Sequence, residues 1–334
     1  MTADLSTITA GAPSSRARNL RRWGPRALQG WTNHDRLFRK ACGAFAISIV
    51  GLLALVVYQL AEASSLSIRR FGVGFVWEKM WDPVAQKLGA ATFVYGTIVT
   101  STIALLLAVP LGIGIAIFLV EIAPRRVSSV VGFLIELLAA IPSIVYGLWG
   151  LFVLAPLVRD GLAPALRATL GFLPLFSGES HGVGMLTAGL ILAIMVLPFI
   201  AAVSRDVLAA VPQAQREGSL ALGTTKWETI WHVVLPYGRV GIAGAVILAL
   251  GRALGETMAV TMVIGNSPQI MASLFQPGYT MSSVIANEYS EASGPLYLSA
   301  LTELGLLLFI VTFAVNGAAS LLIWRLTRGP GAHA

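Results

Sequence analysis

The chain has 334 residues, of which 56% are apolar and only 12% charged; a soluble domain carries about 25% charge, so there is too little polar surface here to cover a soluble globule of this size. A single cysteine, Cys42, excludes an internal disulfide framework, and glycine without a period, together with low charge density, excludes collagen, coiled coil and disorder. What remains is a polytopic, all-α membrane protein, so the net charge of +7 is read first as a matter of topology and not of nucleic-acid binding.

Residues 1–40 form a basic tail rich in Ala, Ser and Arg, expected to be disordered, cytoplasmic and loosely attracted to anionic lipid. A helix needs about 20 apolar residues to cross the hydrocarbon, and six stretches qualify. The first is Ala41–Leu60. Ala61-Glu62-Ala63 has the small-x-small form of a cleavage site, but the apolar stretch is too long for a signal peptide's apolar core of about 7–15 residues, so the helix is expected to remain uncleaved. With the external segment that follows, it makes up a division spanning residues 41–92. Residues 93–327 hold the other five: Phe93–Val120, Ser129–Leu157, Gly184–Ser204, Val240–Ile264 and Leu298–Trp324. The second and third are long for one crossing and imply tilt or extension beyond the bilayer. Pro110, Pro142, Pro156 and Pro198 lie in or near span interiors and predict kinks; abundant glycine suits close helix packing. Sixteen Lys and Arg residues fall in the N-tail, the second and fourth loops and the C-tail, against six on the other side. The positive-inside rule then puts both termini in the cytoplasm.

One inward loop is long, residues 205–239. It reads as helix, break, helix: Pro212 starts the first helix, Gly223 ends it, Thr225-x-x-Glu228 forms a capping box for the next, and Leu235-Pro236 closes that one before the fifth span. Glu217, Gly218 and Ser219, then three residues, Gly223, nine residues and Val233-x-Leu235-Pro236 resemble the EAA loop of ABC importer permeases, with Gly218 and Ser219 in place of two alanines and Val233 in place of isoleucine. Small residues would let a short helix approach a partner closely, Glu217 would supply a polar anchor and Gly223 the turn; the bland alternative is an amphipathic connector. Gly218-x4-Gly223 is not a P-loop, because Lys226 does not follow the second glycine directly and no strand precedes it. The chain itself is therefore not expected to bind ATP or to be an enzyme. His34, His181, His232 and His333 have no metal-ligand spacing, and no metal site is expected.

Four charged groups stand out in the later spans. A charge at a helix centre costs about 2.5–3.5 kcal/mol on the insertion scale. Arg252 and Glu256, four apart, would share one helix face and partly neutralise each other, and a guanidinium facing a cavity offers a planar fork for an oxyanion; a structural salt bridge is the alternative. Glu136 and Glu303 have no sequence-local partner. They would pair with a distant group, or Glu303, near the outer end of its span, would simply be solvated.

Arg252-Ala-Leu-Gly-Glu256-Thr-Met-Ala-Val260 resembles the PstC-type permease of phosphate-specific transport (Pst) systems. So do Trp81-Asp82-Pro83, Phe93-Val-Tyr95-Gly96-Thr97, Ile141-Pro142-Ser143-Ile144-Val145-Tyr146-Gly147, the stretch Leu222 to Ile230, and Ser283-Val-Ile-Ala-Asn287-Glu288. The resemblance covers about residues 81–328 and leaves out the N-tail. It implies a type I ABC importer permease with the MetI-like fold in the inner membrane, forming half of a phosphate path. A PstA-type permease, two PstB-type ATPase subunits carrying ATP and Mg, and a periplasmic or lipid-anchored PstS-type binding protein would be its partners; the chain itself would carry no cofactor. Arg252 and Glu256 match family positions linked to the phosphate path. A sulfate or molybdate permease would share the loop but not the Arg-x-x-Gly-Glu-Thr-Met run. An ion-coupled secondary transporter would need no ATPase-docking loop, and a membrane-embedded enzyme would need a clustered catalytic set.

Overall fold

The computed structural model describes the backbone of residues 25–327 and the side chains of residues 35–325. The chain divides into two compact units, residues 1–59 and 60–334. The first unit carries most of α1 (Pro25–Ala63). Residues 25–40, expected to be disordered tail, are thus helical, while residues 1–24 lie outside the described part. The external segment expected to group with the first helix belongs instead to the second unit.

In that unit the helices are α2 (Ser65–Phe71), α3 (Gly74–Trp77), α4 (Ala91–Ile122), α5 (Arg125–Ala139), α6 (Ser143–Leu170), α7 (Met185–Ala209), α8 (Gln213–Ala221), α9 (Lys226–Gly255), α10 (Met258–Val263), α11 (Met281–Glu288) and α12 (Pro295–Thr327). Among the described residues six helices are long and apolar enough to cross a membrane: α1, α4, α6, α7, α9 and α12. Among the described residues four π-turns interrupt the regular helices, at Phe118–Ile122, Gly150–Leu154, Val158–Leu162 and Ile230–Val234. Each ends two residues before a proline, at Pro124, Pro156, Pro164 and Pro236. Proline has no N–H to give and its ring collides with the carbonyl four residues back; a widened turn ahead of it relieves both. This is why Leu235-Pro236 does not close a helix, contrary to the sequence expectation. Helix α9 runs through it from the long loop into the fifth span.

Packing between helices in lipid gains nothing from excluding water and rests on close approach. Helix α7 is the centre of this unit, and α4 lies along it in the same direction: a Cβ at Gly112 would meet Ile200 at 2.8 Å and one at Gly189 would meet Ile103 at 2.6 Å. The α5–α6 tract runs the other way. Gly132 lies against the Arg205 guanidinium, Gly150 against Ile191, and Gly182 against the Ala155 carbonyl. The expected span Ser129–Leu157 is therefore real as a path but broken at Ile141-Pro142. The residue before a proline is pushed out of the helical region, and Pro142 itself is extended (ψ 141°). Beyond the break α6 continues to Leu170.

The larger departure is in the fifth span. It ends at Gly255 and not at Ile264; Glu256 is extended (ψ 131°). The chain then folds back through α10, an irregular stretch and α11 before α12 begins. Ala259, Val260, Val263, Phe275 and Met281 of this segment are buried, and irregular backbone at membrane depth is tolerated only where protein surrounds it. Its carbonyls also have work to do. Gly184, Met185 and Leu186 at the start of α7 donate their N–H groups to Val263, Gln276 and Leu274 at 2.9, 3.1 and 2.8 Å, which satisfies donors that a helix N-terminus leaves unpaired.

Candidate functional site

Two places carry the sequence-derived candidates: the broken fifth span and the long loop, residues 205–239. At the break, Arg252 sits exposed in the last turn of α9. Glu256 lies past the helix end, so the two do not share a helix face and form no ion pair. The Glu256 carboxylate instead accepts from Ala259 N at 3.2 Å, closing the first turn of α10, where a negative group is favourable. Its backbone carbonyl accepts from Ser282 Oγ at 2.6 Å, tying the break to α11. The ion pair expected from the spacing is thus absent, because the helix ends between the two residues. Arg252 makes no hydrogen bond or ion pair with any described residue. Its charge acts on buried Tyr146, whose hydroxyl donates to Leu138 O across the α5–α6 break at 2.8 Å. The neighbouring Gly251 lies against the Asn316 side chain of α12.

The segments singled out in the sequence converge on the fold-back. Thr97 Oγ1 accepts from Met281 N at 3.0 Å, and a Cβ on Gly96 would stand 2.1 Å from Tyr279 O. Phe93 packs edge-on against Trp81 and Tyr279, with centroids 4.8 and 5.4 Å away. Trp81 Nε1 donates to Glu288 Oε2 at 2.9 Å, the Tyr297 hydroxyl donates to the same oxygen, and Asn287 Nδ2 donates to Tyr279 OH at 3.0 Å. On the other flank, Gly147 lets α6 touch Ala259 and Met262 of α10. These scattered motifs form the support that holds the end of α9 in place.

Of the remaining charges, Glu136 pairs with Arg205 at 2.8 Å. Glu303 is buried rather than solvated, 9% exposed, beside Ser67 of α2. Ser299, one turn earlier, accepts from Ser67 N at 3.1 Å and donates to Ala63 O at 2.8 Å, so α2 is fastened to α12 along a polar seam.

The long loop, residues 205–239, forms as expected up to its end. Helix α8 follows Pro212, Gly223 turns the chain with φ +88°, a conformation that costs other residues about 1–2 kcal/mol, and Thr225 and Glu228 make the reciprocal capping box at the start of α9. Glu217 and Gly218 are exposed, and nothing in the chain lies within 4 Å of a Cβ on Gly218 or Gly223. Ser219 hydrogen-bonds with Thr224 and Thr229 at 2.7 and 3.1 Å, joining α8 to α9. Leu235 packs into the apolar cluster at the C-terminal ends of α4 and α7, and Pro236 is exposed beside it. Sequence reasoning missed two features. Leu222 (88% exposed), Trp227 (58%) and Trp231 (52%) present bare apolar surface beside Gly223, visible in the sequence only as apolar residues in an otherwise polar loop. Arg216, counted there as one loop cation among four, is largely buried and ion-paired with Glu121.

The pattern of the family described as binding-protein-dependent transport system inner membrane component matches residues 108–327. The phosphate transport system permease protein PstC of Mesorhizobium japonicum is 48% identical over 302 residues, covering 89% of this chain and 92% of that one. Its counterpart in Pasteurella multocida is 50% identical, covering 89% and 94%. A crystal structure of a bacterial ABC transporter that imports the polysaccharide alginate superposes with a TM-score of 0.60 at 15% identity, over 90% of this chain and all of that one; at that identity it speaks to the fold alone. The chain belongs to the binding-protein-dependent transport system inner membrane components, and within them to the phosphate transport system permeases.

Proposed function

We propose that this permease subunit of a phosphate ABC transport system carries its phosphate contact at the broken end of the fifth span and its ATPase contact on α8. Arg252 is the phosphate-facing group. The observation that carries this is an exposed guanidinium, without a partner among the described residues, at an interrupted helix end; ionisable groups within membrane spans mark substrate and ion pathways. Phosphate near neutral pH bears one to two negative charges and cannot cross hydrocarbon alone. A planar fork of donors can grip two of its oxygens at once, and the missing counter-carboxylate leaves the fork available. Glu256 acts through the backbone, holding the break that presents Arg252.

Glu217, Gly218, Ser219, Gly223, Leu235 and Pro236 belong to the coupling element. Support comes from the open space around Gly218 and Gly223 and from the bare Leu222, Trp227 and Trp231 beside them, since exposed apolar clusters mark protein contact sites. A PstA-type permease completes the path, two PstB-type subunits bind ATP and Mg beneath it, and a PstS-type protein delivers phosphate from outside. Both termini face the cytoplasm. The test is uptake of labelled phosphate and sulfate by proteoliposomes holding all four components, with the binding protein on the outer face. Phosphate uptake that needs ATP and is lost in Arg252→Gln supports the reading; sulfate uptake at an equal rate, or an Arg252→Gln variant that transports normally, sinks it. For topology, an engineered cysteine at Ser283 should be labelled from outside in intact cells; labelling only after permeabilisation would reverse the orientation.

A further inference from the structure

We propose that Arg216 is the positioning residue that transmits movement of α8 to the membrane helices, through a single buried node joining α8 to both α4 and α7. This rests on the reading of α8 as the ATPase-docking helix. Arg216 lies on α8 next to Glu217 but points the opposite way, into the protein. Its Nε donates to Glu121 Oε1 at 3.0 Å, and Glu121 sits in the π-turn at the inner end of α4. Its two terminal nitrogens donate to Leu208 O, at 2.7 Å, and to Val211 O, the last carbonyls of α7 and the turn after it. The guanidinium and the carboxylate side chains are 13% and 10% exposed. One side chain therefore caps the C-terminus of α7, where a cation is favoured, neutralises the carboxylate ending α4, and belongs to α8.

The surroundings make this link stiff. Directly above it, Ala116, Leu208, Val211 and Val234 form a buried apolar cluster from α4, α7 and α9. Above that, α4 and α7 are locked side by side through Gly112 and Gly189, so a displacement delivered at Arg216 reaches both as one body. Among the described residues the other side-chain tie of α8, Ser219 to Thr224 and Thr229, leads into the start of α9. The two ties enter the membrane helices at different points: the α4–α7 pair through Arg216, and α9, whose last turn carries Arg252, through Ser219. An exposed loop cation would contribute little; a buried fork bonding three acceptors on two helices is a mechanical joint.

The experiment compares phosphate imported per ATP hydrolysed in the assembled transporter in proteoliposomes, with loaded binding protein, for Arg216→Gln, Arg216→Lys, Arg216→Glu, Glu121→Gln and the exchange Arg216→Glu with Glu121→Arg. Gly223→Trp runs alongside. The strut predicts that Arg216→Gln retains its ATPase subunits on purification but imports at least tenfold less phosphate per ATP. Lysine, which keeps the charge and cannot reach all three acceptors, falls between. The exchange recovers part of what Arg216→Glu alone loses, since it restores the ion pair and not the cap. A purely structural role would change the yield of transporter and leave the ratio alone. A wild-type ratio in Arg216→Gln, or an exchange no better than Arg216→Glu, overturns the proposal. If Arg216→Gln does not assemble, Glu121→Gln decides, because it leaves the α7 cap in place: an undiminished ratio there overturns the strut. Should Gly223→Trp also transport normally, the docking reading itself has failed; uncoupling in Gly223→Trp alone faults only the strut.

Discussion

Gly96→Ala is a one-methyl change with a consequence that can be worked out from distances. The new Cβ would lie 2.1 Å from Tyr279 O and 2.9 Å from Tyr279 C. Both are backbone atoms, so no side-chain rotation relieves the clash and α4 must part from the fold-back by on the order of 1 Å. The adjacent hydrogen bond from Met281 N to Thr97 Oγ1, at 3.0 Å, is then stretched past the roughly 3.5 Å at which it ceases to count. Leaving a buried N–H unsatisfied costs about 1–3 kcal/mol, and overpacking adds about 1–3 kcal/mol, for a total of about 2–6 kcal/mol. The control is Gly114→Ala in the same helix, which has nothing within 4 Å of a Cβ and should gain up to about 1 kcal/mol from helix propensity. Thermal unfolding of both variants in one detergent, followed by transport of the reconstituted complexes, makes the comparison. Gly96→Ala should melt several degrees below Gly114→Ala and lose most phosphate uptake, because the displaced fold-back carries the break below Arg252. Equal melting and equal uptake would show that the fit of Tyr279 against α4 does not support the site.

Three further outcomes follow from the same contacts. Glu256→Ala should cost about 1 kcal/mol through loss of the α10 cap, whereas Glu256→Gln, whose amide oxygen can still accept from Ala259 N, should melt within about 0.5 kcal/mol of wild type; an equal loss in both would mean that the charge and not the cap matters. Gly223→Ala should cost about 1–2 kcal/mol from its left-handed backbone, and Gly223→Trp should add little to that in the isolated subunit, since the space around it is open; any extra loss confined to the assembled transporter then reports the partner. Trp81→Phe keeps the edge contact with Phe93 and gives up the bond to Glu288, for about 1 kcal/mol, while Glu288→Ala strands both the Trp81 and Tyr297 donors and should cost about 2–4 kcal/mol. Melting curves that rank the last two the other way would remove Glu288 from the clamp.

Much of this architecture can be read along the chain, because apolar length and glycine and proline chemistry are local. The crossings, the turn at Gly223 and the capping box of Thr225 and Glu228 all follow from a few neighbouring residues. Hydropathy, however, measures tolerance of an apolar setting and not helix continuity. Residues 256–264 are as apolar as a span, yet the helix has ended at Gly255 and Ala259, Val260, Val263 and Ile264 are buried within the fold-back, so the spacing of Arg252 and Glu256 misled. Pro236 misled in the opposite sense, since the preceding π-turn carries the helix past it. Arg216 was invisible because its partner, Glu121, lies 95 residues away. The hint is that each sits beside the inner end of an apolar helix, where an isolated charge would be costly. The motifs around Trp81, Gly96 and Asn287 could be noticed as a resemblance, but that they meet in one cluster is a property of the fold.

The central claim is that Arg252 contacts phosphate as a planar, unpaired fork. The direct measurement is initial-rate uptake of labelled phosphate into proteoliposomes carrying the assembled transporter, for wild type, Arg252→Lys and Arg252→Gln at matched amounts of complex. A charge-assisted hydrogen bond is worth about 1.5–3 kcal/mol, so losing one arm of the fork in Arg252→Lys should slow uptake about 10–100-fold, and Arg252→Gln, without the charge, should fall to background. Near-normal uptake by the lysine variant would mean that a point charge suffices; near-normal uptake by the glutamine variant would contradict the account and take Arg252 out of the phosphate path.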